Sequence, residues 1–176
     1  MQINNCRSLT DPGYLLAIQN ATNLTSLDLD YCGKISSDTY MYLTRLTKLS
    51  SLSVLCSSTF SLKALKALSS KIPSLTYLDM LGVEVTEEWL PYLGKFPKLE
   101  TLHLGGTETV SSIVGLKDCK NLKVFNVGNF PKFEESLNKN AEVLLLFSLP
   151  YFSNLEVVRI PKAFLNDEAV KAITSW

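Results

Sequence analysis

The sequence predicts an α/β solenoid with about seven short parallel strands on a concave face and helices and turns on the convex face. Three observations predict it. An L-x-x-L-x-L pattern occurs six times in register, at Leu24/Leu27/Leu29, Leu49/Leu52/Val54, Leu75/Leu78/Met80, Leu99/Leu102/Leu104, Leu122/Phe125/Val127 and Leu155/Val158/Ile160. The last apolar position of each unit, beginning with Ile3, recurs at intervals of 26, 25, 26, 24, 23 and 33 residues. Between units lie capping residues followed by apolar positions at helical spacing. Helical faces recur at three and four residues, so the period-two pair closing each unit marks a strand with its leucines turned inward. One unit cannot bury its apolar face alone; stacking neighbours does so.

The return segments read as follows. Thr10 and Asp11 precede Tyr14, Leu15 and Ile18, and Ser36-Ser37-Asp38 precede Tyr40, Leu43 and Leu46, so each predicts a capped helix. Ser61 before Leu62, Leu65 and Leu68 predicts the clearest helix of the chain. Thr86-Glu87-Glu88 starts a helix that Pro91 must shorten or distort, because proline removes a backbone donor. Residues 109–115 predict only a turn or a 3₁₀ piece. The long interval before Ile160 predicts an enlarged repeat over 128–154, with a helix carrying Leu137, Ala141, Leu144 and Leu145 and ending at Pro150. Asn166 caps a last helical stretch with Asp167 and Glu168 in its first turn.

The 176 residues carry 17 Lys plus Arg and 17 Asp plus Glu, so no bulk charge draws the chain to nucleic acid or to an anionic membrane. The longest apolar run, Val143 to Phe147, falls far short of the roughly 18 residues of a membrane span. With no basic start leading into an apolar stretch, a cytoplasmic or nuclear location is expected. One repeat domain is expected over 1–176. Met1 lying in a strand and Trp176 in a helix would leave both solenoid ends uncapped, which implies a segment of a longer chain and self-association through those ends.

After their strands, Cys6-Arg7-Ser8-Leu9-Thr10-Asp11 and Cys32-Gly33-Lys34-Ile35-Ser36-Ser37-Asp38 take a C-x-x-[LI]-[ST]-D-like form. These units resemble the cysteine-containing subclass of leucine-rich repeats, similar to those of F-box substrate receptors. The resemblance implies a ribonuclease-inhibitor-like horseshoe and recruitment of a substrate to a ubiquitin ligase. Later units such as Phe96 to Thr107 look more like the shorter repeats of immune receptors, which implies a ligand-sensing domain of such a receptor, or of a pathogen effector, as the alternative.

Chemistry-bearing residues are sparse. The four cysteines have no CxxC or His spacing for zinc, so no metal or cofactor is expected. Cys6 and Cys32 occupy equivalent places in adjacent repeats, about 4.8 Å apart by strand spacing, so a disulfide or a pair of buried thiols both fit. His103 is the single histidine; Cys56 lies two strands away, roughly 10 Å, too far for a nucleophile and its base, and no enzyme is expected.

Residues alternating with the inward leucines must face outward. They form one column of Gln2, Asp28, Ser53, Asp79, His103, Asn126 and Arg159, and another of Ser26, Ser51, Tyr77, Thr101, Val124 and Val157. This face runs from acidic (Asp28, Asp30, Asp79) to basic (Arg159, Lys162), with Tyr31, Leu55, Tyr77 and Leu81 between, and His103 stands in its centre. An apolar and aromatic patch flanked by charge suits a protein or peptide partner. Too few Lys and Arg stand in the columns to track phosphates, so no nucleic-acid partner is expected.

Overall fold

A computed structural model describes residues 8–105, 110, 113–128 and 152–159. Its strands are β1 (Ser26–Asp28), β2 (Ser51–Ser53), β3 (Tyr77–Leu81), β4 (Thr101–Gly105), β5 (Val124–Val127) and β6 (Val157–Arg159). They form one all-parallel sheet in sequence order β1-β2-β3-β4-β5-β6. Each strand pairs with the next repeat's, and the return segments lie across from the sheet, giving a solenoid-like α/β fold. A strand at Ile3, residues 129–151 of the enlarged repeat expected over 128–154, and the helix after Asn166 lie outside the described residues.

The register is the one the leucine pattern dictates. Leu27, Leu52, Leu78, Leu102 and Phe125 are successive partners across the sheet. All are buried, as are Leu29, Val54, Met80, Leu104 and Val127 two residues on. Burying a leucine side chain contributes about 2 kcal/mol, so two such columns dominate the folding energy.

Behind the sheet, α1 (Asp11–Ile18) buries Tyr14 and Ile18 one turn apart. The helix α2 (Leu62–Lys71) buries Leu65 and Leu68, and the Ser61 hydroxyl accepts a cap bond from the Ala64 N–H at 3.3 Å. Two of the capped helices differ from expectation. Residues Thr39–Arg45 form a 3₁₀-helix rather than an α-helix. Its threonines and tyrosines are poor helix formers, and Tyr40 and Leu43 are both completely buried, so packing sets its winding. Its N-cap residue, Asp38, makes no cap bond and pairs with Lys63 at 2.7 Å, while the Ser36 Oγ accepts from the Thr39 N–H at 3.3 Å. Thr10 makes no side-chain cap for α1.

Pro91 has the expected effect: a 3₁₀ turn at Glu87–Trp89 runs into α3 (Leu90–Leu93), with the proline in the first turn, where its missing N–H costs nothing. A 3₁₀ piece at Val114–Leu116 stands where a turn or a 3₁₀ piece was expected. Tyr14, Tyr40, Phe60 and Trp89 meet from repeat to repeat beneath these segments in tilted and edge-on contacts, with ring centroids 6.4, 5.2 and 6.3 Å apart. At the corner after β1, Cys32 is completely buried, and its thiol donates to the Asp30 carbonyl at 3.5 Å. In the next repeat Ser57 takes that place; its hydroxyl accepts from the Cys32 N–H at 3.3 Å and donates to the Leu29 carbonyl at 2.8 Å. Cys6 lies outside the described residues.

Candidate functional site

The open face of the sheet carries the two outward columns in register. Ser26, Ser51, Tyr77, Thr101, Val124 and Val157 form one row, and Asp28, Ser53, Asp79, His103, Asn126 and Arg159 the other. Gln2 and Lys162 lie outside the described residues.

Three of the candidate residues form a bonded cluster at the centre. Asp79 on β3 faces His103 on β4, with Oδ2 3.1 Å from the imidazole Nδ1. The Tyr77 hydroxyl donates to the same Oδ2 at 3.4 Å, and the Leu81 N–H donates to Oδ1 at 3.0 Å. The Tyr77 ring meets the His103 ring edge-on, centroids 5.3 Å apart. These neighbours cover the aspartate, which is only 8% exposed although it lies on the open face. Burial, then the Asp79 charge, pushes the Tyr77 phenol up to about 12, so it stays a hydrogen-bond donor at neutral pH. Alternation alone places His103 as a lone exposed residue; the structure pairs it with Asp79 and leaves its side chain 15% exposed. With Nδ1 turned to Asp79, Nε2 is the ring nitrogen left for a partner.

A second group surrounds Asp30. One of its oxygens accepts from the Ser53 hydroxyl at 2.5 Å and from the Leu55 N–H at 2.9 Å. The Asp28 carboxylate accepts from the Asp30 N–H at 3.2 Å. Burial, opposed by the Ser53 and Leu55 bonds and aided by the charges of Asp28 and Asp79, holds the Asp30 carboxyl above its ordinary value. Tyr31 next to it is 45% exposed, with a left-handed φ of 57°. Cys56 (φ 53°) and Gly82 (φ 71°) take the same conformation at the same place in the following repeats. Their N–H groups donate along the rim to Leu55, Leu81 and Gly105 carbonyls at 2.8, 2.8 and 2.7 Å.

Leu55 and Leu81 are half-buried on the same face. Leu81 extends across β4: a Cβ on Gly128 would come within 2.8 Å of its Cδ2, and one on Gly105 would overlap the Gly128 backbone. The two glycines thus permit the close approach of the two backbones. Arg159 is exposed but stands three strands from Asp79, about 14 Å by strand spacing, so the structure does not bring it to the cluster.

The cluster can present a fixed phenol, imidazole and carboxylate beside half-buried leucines. Among the described residues, the His103 ring bonds only Asp79, no hydroxyl or thiol nucleophile reaches it, and no three metal-ligating side chains converge.

The two edges of the sheet carry opposite charge, which the outward columns do not show. In a parallel solenoid all helix-to-strand turns share one edge and all strand-to-helix turns the other. Among the described residues, eight Lys or Arg and three acidic residues occupy the former at 45–51, 71–77, 94–101, 117–124 and 153–157. Six acidic residues and one lysine occupy the latter at 8–11, 29–39 and 82–90. The balanced composition hides this polarity. The signal was the recurrence of Arg45, Lys71 and Lys95, each nine residues before the last inward position of its unit.

No family model matches the chain, and no curated protein matches it by sequence. Solved structures do match in fold, among them the crystal structure of the Rad7 and Elc1 complex in yeast, with a TM-score of 0.70 and 19% identity. The match covers 95% of this chain and 42% of that one, so the chain spans less than half the length of its neighbour. At this identity the likeness establishes the fold. Among the described residues no helix is long and apolar enough to cross a membrane.

Proposed function

We propose that the chain is a leucine-rich repeat horseshoe, one domain over 1–176, that binds a protein or peptide on the concave face of its sheet. The observation that carries this reading is the Tyr77–Asp79–His103 cluster: rigid aromatic and charged groups, already held by each other, at the centre of an open sheet. Groups fixed before binding lose little entropy on contact, and tyrosine is the residue type enriched in binding hot spots. The fold likeness to one member of a protein complex agrees with an interaction role.

In its specific form, suggested by the resemblance of the Cys32 repeat to F-box receptors, the module recruits a substrate to a ubiquitin ligase in the cytoplasm or nucleus. It acts without a cofactor, and catalysis has no place in this reading. The sensing domain of an immune receptor or effector remains the second reading, favoured by the shorter repeat at Phe96 to Thr107.

The test is photo-crosslinking from position 77. A photoreactive phenylalanine replaces Tyr77 in one variant and Tyr42, on the opposite side of the solenoid, in another. A partner captured from position 77 alone is identified, purified and titrated against wild type and the Tyr77→Ala variant. Unchanged affinity in that variant, or capture from position 42 alone, would falsify the assignment of the open face.

A further inference from the structure

The basic edge offers a second surface, independent of the open face. Helix dipoles explain part of the charge segregation: Arg45 and Lys71 sit in the last turns of their helices, and Asp11, Glu87 and Glu88 in first turns. They do not explain Lys98, Lys120 and Lys123, which lie beyond any helix end. Lys98 and Lys123 line a groove of about 380 Å³ that crosses four repeats from Thr76 through Pro97 and Asn121 to Asn154, and Lys120 stands in the turn beside Asn121. Lys123 pairs with Glu100 at 3.0 Å, while no ion pair engages Lys98 or Lys120 among the described residues.

We infer that this groove docks an acidic, extended segment of a partner protein. Its charge is complementary to a run of carboxylates, since Lys98 has no acidic partner among the described residues. The Asn121 and Asn154 amides are anchored on the Pro97 and Lys120 carbonyls at 2.7 Å, which fixes polar groups on the floor for peptide backbone contacts. A nucleic-acid backbone fits less well. No aromatic ring lines the groove for base stacking.

The test uses the full chain and a fluorescein-labelled peptide of alternating glutamate and glycine, read by fluorescence anisotropy at low and physiological ionic strength. The peptide binds, salt weakens it, and a glutamine-for-glutamate peptide does not bind. The Lys98→Glu/Lys120→Glu variant loses affinity about tenfold or more, and Lys98→Gln/Lys120→Gln loses less, each with wild-type circular dichroism. Lys63→Gln, on the outer helix, and Tyr77→Ala, on the open face, bind as wild type, so this result stands or falls separately from the open-face reading. Absence of peptide binding at low ionic strength overturns the inference. So does affinity unchanged by charge reversal, loss in the Tyr77→Ala variant, or tighter binding of a single-stranded oligothymidylate of equal length.

Discussion

Oδ2 of Asp79 lies 3.1 Å from Nδ1 of His103, directly across the pairing of β3 with β4. The same carboxylate accepts from the Leu81 N–H, so it joins a backbone turn to a neighbouring strand. Asp79→Ala removes all three acceptor bonds and leaves a half-buried N–H without a partner, which costs about 2 kcal/mol. Asp79→Asn keeps an oxygen for Leu81 and costs about 1 kcal/mol or less. Urea unfolding midpoints check this; equal losses in the two variants would show that the acceptor geometry contributes nothing.

This relationship shows what was legible in the sequence. The period-two pattern places Asp79 and His103 next to each other in one column, and the observed register is the same. What the column cannot convey is height above the sheet. Tyr77 and His103 lean together over Asp79, and a residue counted as outward becomes nearly covered. Winding was illegible for a similar reason: the 39–45 segment has helical spacing, but the contacts that tighten it come from α2, a repeat away. The charged edges were legible and missed, because total composition cancels what position separates.

Asp30 supplies a pH test. Its carboxyl is held above the ordinary value chiefly by burial, so between the ordinary and raised values the folded protein binds more protons than the unfolded one. Stability therefore falls as pH rises through that window and is constant above it. Asp30→Asn, which retains an acceptor for Ser53 and Leu55, should be more stable than wild type at neutral pH. The gain is under about 1 kcal/mol, since solvent screens much of the penalty. The two proteins should converge at pH below the ordinary carboxylate range. Thermal melts across pH read it, and a gap that widens on acidification would refute the assignment.

At Gly105, a φ of 151° coincides with contact between its backbone and that of Gly128. An alanine there must push β4 from β5 and strain the hydrogen bond from the Gly128 N–H to the Leu104 carbonyl. Gly105→Ala should cost about 2 kcal/mol or more. Gly33→Ala is the control: its added methyl meets only the Ser58 hydroxyl at an ordinary 3.6 Å, and the change should stay within about 0.5 kcal/mol. Denaturant midpoints falling equally would contradict the close approach.

Tyr14 is completely buried, and its hydroxyl has no partner among the described residues, so burial pushes its ionisation far above the ordinary value. A hydroxyl that loses water without gaining a bond destabilises the fold. Tyr14→Phe keeps the ring contact with Tyr40 and should be neutral or stabilising by up to about 1 kcal/mol. A loss of more than that amount in a thermal melt would reveal a hydrogen bond to the Tyr14 hydroxyl.

Tyr31 separates stability from recognition. Its left-handed backbone costs a non-glycine residue about 1 kcal/mol, and Gly82 fills the equivalent place two repeats on without that cost. Nearly half exposed, the ring contributes little packing in return. Tyr31→Gly should therefore leave unfolding stability unchanged or slightly higher, the relief of strain being offset in part by the greater chain entropy of glycine. If the rim beside Asp28 and Asp30 meets the partner, the same variant should bind the partner crosslinked from position 77 about tenfold more weakly. Strain retained at an exposed aromatic residue fits a role in contact. A variant that binds as wild type would remove Tyr31 from the site, and one that unfolds more easily would show that the ring supports the corner after all.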